Sequence, residues 1–424
     1  MECLFVLSQV VDMIWIGRLG ATSVAGVGIA QIIVMLVASA DLGLIAGIKA
    51  LIARNIGAGD RNAAEKVAGQ AYLIGFIWGL LVTLIGFFFA PNLMSLFAVS
   101  DAVIAEGTAF MRVMFGGWVG MELFLFGLYS MQSSGDTLNP MKIELLIRVI
   151  HITLCPFLVL GLWFFPKLGV SGAAFSNVIS QTTGTLIVLV LLLSGRTRIR
   201  LRPAYLRVDF ALIGRILKIG IPALVMNLQR AIGNFILTWF IAPFGTAAVA
   251  AHSIAARIEM FIFLPSMALG SGAGVLVGQN LGAHQPERAS RSAWMALGIV
   301  QIFMMLSAAV FLIFARQIIS AFTSDADTLL VGTTFLRIAT VAYMVLALTF
   351  VLQNCIAGAG DTVPNMIISV VSIWAVQLPL AWLLPNVTDL GVYGIRWAIV
   401  INAITAAIAT FIYFRLGRWK NKRV

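Results

Sequence analysis

The sequence predicts an all-α integral membrane protein with about twelve transmembrane helices arranged in two six-helix lobes. Three observations predict it: a composition too apolar for water to solvate, a succession of apolar runs of helical length, and an internal repeat. Hydrophobic residues make up 61% of the 424, and charged residues only 11%. Soluble globular proteins carry about 25% charged residues, so most of this surface must face lipid. The chain is too long for one soluble domain but fits about 12 spans of ~20 residues with short loops. No stretch is polar and long enough to form a separate soluble domain.

The apolar runs, separated by Gly, Pro and charge clusters, place helices in order. The first six fall at about 1–16, 22–55, 64–90, 103–131, 139–162 and 170–195. The second six fall at about 211–242, 247–281, 289–315, 328–357, 363–384 and 392–414. In lipid each must be a helix, because each must satisfy its own backbone polar groups. The first run is short. Eleven residues precede Asp12, about 16 Å of helix, so either that span is incomplete or it begins further upstream. The start lacks the basic region and small-residue cleavage site of a signal peptide. The expected domains are a lobe at 1–195, a basic cytoplasmic linker at 196–210, and a lobe with a basic tail at 211–424.

Charge placement supports this map. The net charge is +11, but Lys and Arg gather at helix ends, which points to topology and not to nucleic acid. The linker carries Arg196, Arg198, Arg200, Arg202 and Arg207. The tail carries Arg415, Arg418, Lys420, Lys422 and Arg423, and the turns after the second and eighth helices carry Arg54, Arg61, Lys66, Arg288 and Arg291. All of these fall on one side if the helices alternate, whereas the other side has Arg18, Lys167, Arg316 and Arg396. The positive-inside rule then predicts a multi-pass protein with both termini cytoplasmic. Cys3, Cys155 and Cys355 lie in apolar runs with no metal-ligand or disulfide pattern.

The two halves repeat each other. G-ATSVAGVGIA from Gly20 matches G-TAAVAAHSIA from Gly245, an offset of 225 (245 − 20). The same offset pairs Asn55 with Asn280, Gly57 with Gly282, and Gly135-Asp136-Thr137 with Gly360-Asp361-Thr362. Later landmarks drift slightly: Pro156 pairs with Pro379, and Gly169 with Gly391. An even number of helices per half keeps the halves in one orientation. A parallel repeat of this kind places a substrate path between two bundles that rock about it.

The landmarks also resemble a family. V-D-M-I-W-I-G-R-L-G at 11–20 and A-R-N-I-G-A-G-D at 53–60 are similar to the first two helices of multidrug and toxic compound extrusion transporters. I-G-I-P-A at 219–223, W-F-I-A-P-F-G-T at 239–246, R-I-E at 257–259, V-G-Q-N-L-G-A at 277–283 and G-A-G-D-T at 358–362 extend the likeness through the second half. The resemblance implies twelve helices in two lobes around a central cavity. It also implies secondary antiport: export of cationic or amphipathic organic compounds in exchange for H+ or Na+. On that reading the chain is not an enzyme and needs no cofactor or metal. Its partners are small organic, mostly cationic substrates and the bilayer, with no nucleic acid, and it acts as a monomer.

An acid inside an apolar span is a functional candidate by default. Asp12, followed by Met13-Ile14-Trp15-Ile16, leads; burial would let such a carboxylate load and release a proton, and members of the family carry a functional Asp at this motif. On the fifth helix many members read N-x-x-x-D-P, but here His151-Ile152-Thr153-Leu154-Cys155-Pro156 replaces both oxygen ligands. Na+ prefers hard oxygens, so H+ fits better as the coupling ion. His151 either titrates itself or bonds a carbonyl as a neutral ring. Asn177 stands where many members have Thr and could still supply an oxygen. Glu259 matches the family's acid on the eighth helix, as a second cation site or as a partner of Arg257 or His252.

The seventh helix, where many members carry an acid, reads Met226-Asn227-Leu228-Gln229-Arg230. Asn227, Gln229 and Arg230, together with Asp41 and Met260, are candidates for the substrate cavity. Lys49 lies two turns beyond Asp41 and is unusual for the family. Glu122 with Arg112, and Glu144 with Arg148, are candidate ion pairs. Asp136 and Asp361, in G-D-T turns, are candidate caps for the helices that follow. Small-residue runs at Gly43–Gly47 and Gly270–Gly274 suit close helix packing. A lipid-linked precursor flippase of the same superfamily is the alternative, and it predicts a more cationic cavity. No H-E-x-x-H, phosphate loop or G-x-S-x-G supports a membrane enzyme.

Overall fold

The computed structural model describes residues 2–97 and 99–422, with side chains from Ser8 onward; Cys3 and Arg423 lie outside the described side chains. The described chain is helical throughout, with no strand. The first half comprises α1 (Glu2–Gly17), α2 (Ala21–Gly57), α3 (Arg61–Ser95), α4 (Asp101–Gly116), α5 (Trp118–Ser133), α6 (Leu138–Leu160) and α7 (Val170–Ser194). The second comprises α8 (Phe210–Ile241), α9 (Thr246–Gly282), α10 (Pro286–Ser320), α11 (Ala326–Gly358), α12 (Thr362–Val371), α13 (Leu378–Val387) and α14 (Val392–Leu416). Ten helices are long and apolar enough to cross a membrane, or eleven when the bent pair α4–α5 is taken as one span. At 16 residues, α1 is shorter than the ~20 a span needs.

Two predicted helices are interrupted. The run read as 103–131 bends by 51° between α4 and α5. Gly117 takes a non-helical conformation there, and the Thr83 hydroxyl donates to Phe115 O at the break (2.8 Å), which occupies a carbonyl the helix no longer uses. The eleventh predicted helix contains a π-helical turn, Ser372–Gln377, between α12 and α13. Pro379 follows it; proline has no amide hydrogen to give the preceding turn, and such turns rearrange to a wider ladder.

The chain forms two compact units, residues 1–56 with 60–217, and residues 57–59 with 218–424. In the first, α6 packs on α1 and α7, and α3 packs on α4 and α5. Their shared core includes Ile16, Val27, Met94, Met111, Phe115, Trp118 and Val159. In the second, α11 packs against α9, α10 and α14. The backbones of α9 and α11 approach so closely that a Cβ on Gly358 would overlap Gly274 O, the contact that the small-residue run predicts. Outward-facing side chains such as Phe88, Ile302, Leu306 and Ile313 are well exposed. So broad an apolar surface is solvated by lipid.

The basic linker is stapled to the first unit. Glu65, fully buried, receives Arg202 Nε (2.9 Å), Arg61 Nε (3.2 Å) and the Arg200 amide (3.0 Å). Gln70 donates to Tyr205 O and Arg207 O and accepts from the Asp209 amide. These bonds explain why the first unit continues past the predicted linker to Leu217. The end of the second unit folds back in a similar way. Trp419 is buried and stacks on Phe414 (4.7 Å), and Lys422 Nζ pairs with Asp361 (2.7 Å). Of the two predicted caps, Asp136 accepts from the Asn139 amide (3.2 Å). Asp361 does not cap: it is held by Lys422 and by the Tyr413 hydroxyl, because the returning tail supplies stronger partners than the helix amides.

Candidate cation-coupling site

Asp12 sits one turn before the end of α1, and the α1–α6 packing turns it inward. Its Oδ1 meets His151 Nε2 at 2.9 Å and accepts from Cys155 Sγ at 3.2 Å. All three residues are buried. Positions 151 and 155 are one helical turn apart on α6, so both side chains reach one face. Pro156 follows within the same helix. The substitutions that depart from the family pattern are therefore the groups that hold Asp12.

The hydrogen-bond inventory fixes the cheapest protonation state. His151 Nδ1 is buried with no partner. A doubly protonated ring would bury an unsatisfied N–H, which costs about 1–3 kcal/mol or more for a charged group. A ring with its hydrogen on Nε2 donates to Asp12 and avoids that cost. Ser176 on α7 lies within hydrogen-bonding reach of Cys155, and its own hydroxyl donates to Ala173 O. Sequence reasoning passed over Ser176 for its neighbour Asn177. Asn177 is half-buried and spends its Oδ1 on Gln181 Nε2 (2.7 Å).

The ligand atoms of Asp12, His151 and Cys155 lie within 4.8 Å of one another, close enough for one metal ion. One oxygen, one nitrogen and one sulfur form a donor set for soft or borderline metals and a poor set for Na+.

The second repeat's acid has a different environment. Glu259 Oε1 on α9 pairs with Arg396 Nη1 on α14 (3.3 Å). Arg396 is buried and lies over the Phe335 ring (4.8 Å). This corrects two sequence expectations: Glu259's ion-pair partner is neither Arg257 nor His252, and Arg396, read as a helix-end charge, is a buried ion-pair partner. Position 396 lies close to the start of α14, which made it resemble a helix-end charge; α9 and α11 close over it. Tyr343, Glu259 and Arg396 border a cavity of about 30 Å³, enough for about one water.

The remaining candidates are dispersed. Gln229 is buried and donates to Ser369 Oγ on α12 (2.6 Å). Arg230 donates to Gln353 Oε1 on α11 (3.1 Å). Asn227 is half-buried and Met260 exposed. Asp41 is buried and accepts from Trp78 Nε1 (2.8 Å). Glu144 and Arg148 pair as expected (2.7 Å). Glu122 takes the Trp118 indole instead of Arg112 (2.9 Å), while exposed Arg112 lies over the Phe87 ring (5.8 Å). Lys49 lies over the Tyr129 ring (5.3 Å).

Comparison with known proteins places this geometry in context. The MatE family model matches residues 1–157 and 222–383. YoeA of Bacillus subtilis, described as a probable multidrug resistance protein, is 25% identical over 422 residues, covering 99% of this chain and 91% of its own. A protein of Shewanella oneidensis described as an FAD transporter is 26% identical over 404 residues, covering 94% and 88%. A solved transporter of the MOP superfamily from Pyrococcus furiosus, described by a reversed polarity of its binding pocket, superposes with a TM-score of 0.91 at 23% identity. It covers 100% of this chain and 94% of its own, a likeness of fold.

Proposed function

The chain belongs to the MatE family of membrane transporters, and from that premise we propose that it is an H+-coupled antiporter exporting cationic or amphipathic organic compounds. The observation that carries the choice of H+ is the set of groups around Asp12: a histidine nitrogen and a thiol at 2.9 and 3.2 Å. Both are proton donors, and neither is the hard oxygen that Na+ prefers. In the proposed cycle Asp12 is ionised when cargo binds from the cytoplasm. The loaded protein opens to the other side, where a proton neutralises Asp12 and removes the charge that His151 Nε2–H and the Cys155 thiol stabilise. The bonds around α1 and α6 rearrange, cargo leaves, and the protonated form opens inward again and gives its proton to the cytoplasm. The basic linker and tail face the cytoplasm in this scheme, with both termini on the cytoplasmic side of the cell inner (plasma) membrane.

Vesicles reconstituted with the protein and loaded with ethidium test this, with a pH gradient and a Na+ gradient imposed separately. Efflux under the pH gradient alone is expected. Efflux only under the Na+ gradient would sink the argument from His151 and Cys155.

A second reading, export of an anionic cargo, is favoured by the relative described as an FAD transporter and by Arg230, whose partner is the neutral Gln353. The flippase alternative needs several free cations, but Arg148 and Arg396 are each paired with an acid. Competition of ethidium efflux by a flavin dinucleotide, set against a lipophilic cation, distinguishes the cargoes.

A further inference from the structure

The first repeat contains a second pair of acids that the scheme above does not use. Asp41, in the middle of α2, and Glu122, one turn into α5, are each 2% exposed. Their carboxyl groups lie within hydrogen-bonding reach of each other. Each is held from outside by an indole: Trp78 Nε1 donates to Asp41 Oδ1 at 2.8 Å, and Trp118 Nε1 donates to Glu122 Oε1 at 2.9 Å. Glu122 Oε2 is buried with no donor.

The surrounding charges do not neutralise the pair. Among the described residues, none of the ion pairs involves either acid. On α2, Lys49 lies over Tyr129 and Arg54 lies further along. On α3, Glu65 and Lys66 lie in the first turns, and Glu65 is paired with Arg61 and Arg202. On α4, Arg112 lies over Phe87. On α6, Glu144 and Arg148 hold each other, and α7 carries no charged residue. Two ionised carboxylates in contact, away from water and offered only neutral indole donors, repel strongly. A proton between them turns that repulsion into a hydrogen bond and gives Glu122 Oε2 its missing partner.

We propose that Asp41 and Glu122 form a second proton-binding site of the first repeat, two carboxyl groups sharing one proton, distinct from Asp12. The site adjoins the α4–α5 break. Trp118, which fixes Glu122, is the first residue after Gly117, where the axis turns by 51°. Removing the shared proton would drive α2 and α5 apart at the point where that helix is already interrupted. The site is thus placed to couple protonation to a change of bend. Its part in transport rests on the proton-coupled reading; the presence of the shared proton does not.

The test is infrared spectroscopy of the purified full-length protein at neutral pH, without Na+, reading the carbonyl stretch of protonated carboxylic acid. The band is expected in the wild type and in Asp12→Asn, and its loss is expected in Glu122→Gln and in Asp41→Asn. Glu122→Gln keeps an acceptor for Trp118 and a donor toward Asp41, so it imitates the protonated form and should fold; gel filtration checks this. In the ethidium vesicles, fewer protons should move per cargo exported in Glu122→Gln than in wild type. No band in the wild type, or a band that survives both substitutions, would overturn the proposal. A band erased by added Na+ would do so too, because the occupant would then be a metal cation. A band that behaves as expected, in vesicles that ignore a pH gradient, would leave the proton site standing and defeat the coupling scheme.

Discussion

Each repeat carries an acid within a helix, Asp12 on α1 and Glu259 on α9, and gives it opposite company. In the first, Asp12 is held by a histidine nitrogen and a thiol, neither of them a permanent charge. In the second, Glu259 is held by Arg396, whose guanidinium stays charged at any physiological pH. A permanent internal cation therefore sits beside Glu259. On the proposed H+-coupled scheme, coupling falls to the first repeat and the second serves as its structural counterpart.

The substitution expected to have the largest effect is Asp12→Asn, which keeps the shape of the site and removes its charge. Cation-driven ethidium efflux should fall to the level of empty vesicles while gel filtration remains normal. Unchanged efflux would remove the distinction between the repeats. Glu259→Gln strands the buried Arg396 charge and should destabilise the protein by about 3 kcal/mol, since breaking a buried pair costs about 3–5. Thermal unfolding in detergent reads this. Replacing both Glu259 and Arg396 with Met should restore most of the loss, and efflux by the double variant should persist. If instead the double variant is stable and inactive, the second repeat carries coupling after all.

What the sequence disclosed follows the range of each interaction. Asp12 was visible because a lone acid in an apolar run has few structural explanations, and His151 and Cys155 because they broke a local pattern six residues long. Arg396 and Glu259 lie far apart in the chain, and nothing local at position 396 distinguished a buried cation from a helix-end one. The Asp41–Glu122 contact joins α2 to α5, and composition gave no sign of it. Asp361 looked like a cap because its neighbours are Gly and Thr; Lys422, the partner that overrides capping, is in the tail. The α4–α5 break was missed because Gly117 is one of many glycines in apolar runs, and glycine alone does not distinguish packing from a bend.

A smaller effect is expected from His151→Phe, which removes one of the two donors on Asp12. A hydrogen bond to a charged group contributes about 1.5–3 kcal/mol, so unfolding should shift by about 2 kcal/mol, well short of the loss of function in Asp12→Asn. The smallest effect concerns the helix starts, where each repeat caps a different helix with an aspartate. Asp60 accepts from the Ala63 amide at the head of α3 (2.8 Å), and Asp325 accepts from the Thr328 amide at the head of α11 (2.8 Å). The Thr328 hydroxyl, then its amide, hold the Asp325 carboxyl below its usual 3.8. A carboxyl depressed in the folded state stabilises above its unfolded value and loses that contribution as pH falls through the folded one. Protection of the Thr328 amide, its exchange read against the intrinsic rate at each pH, should therefore hold at neutral pH and fall only below the ordinary carboxylate range. In Asp325→Ala that protection should be lost at both.

The last helix of each repeat, α7 and α14, ends at a left-handed glycine, Gly195 and Gly417. In each case a basic segment then returns onto its own unit, through Glu65 in one and Asp361 in the other. Each repeat thus carries its own closure, and the bonds that seal the first are complete once residue 209 has been made. During synthesis the first repeat can finish before the second emerges, which is the order in which units of a long chain assemble most safely. A chain whose halves were interleaved would leave strongly apolar helices waiting for partners not yet translated. Here the ribosome delivers a sealed unit, then its sibling.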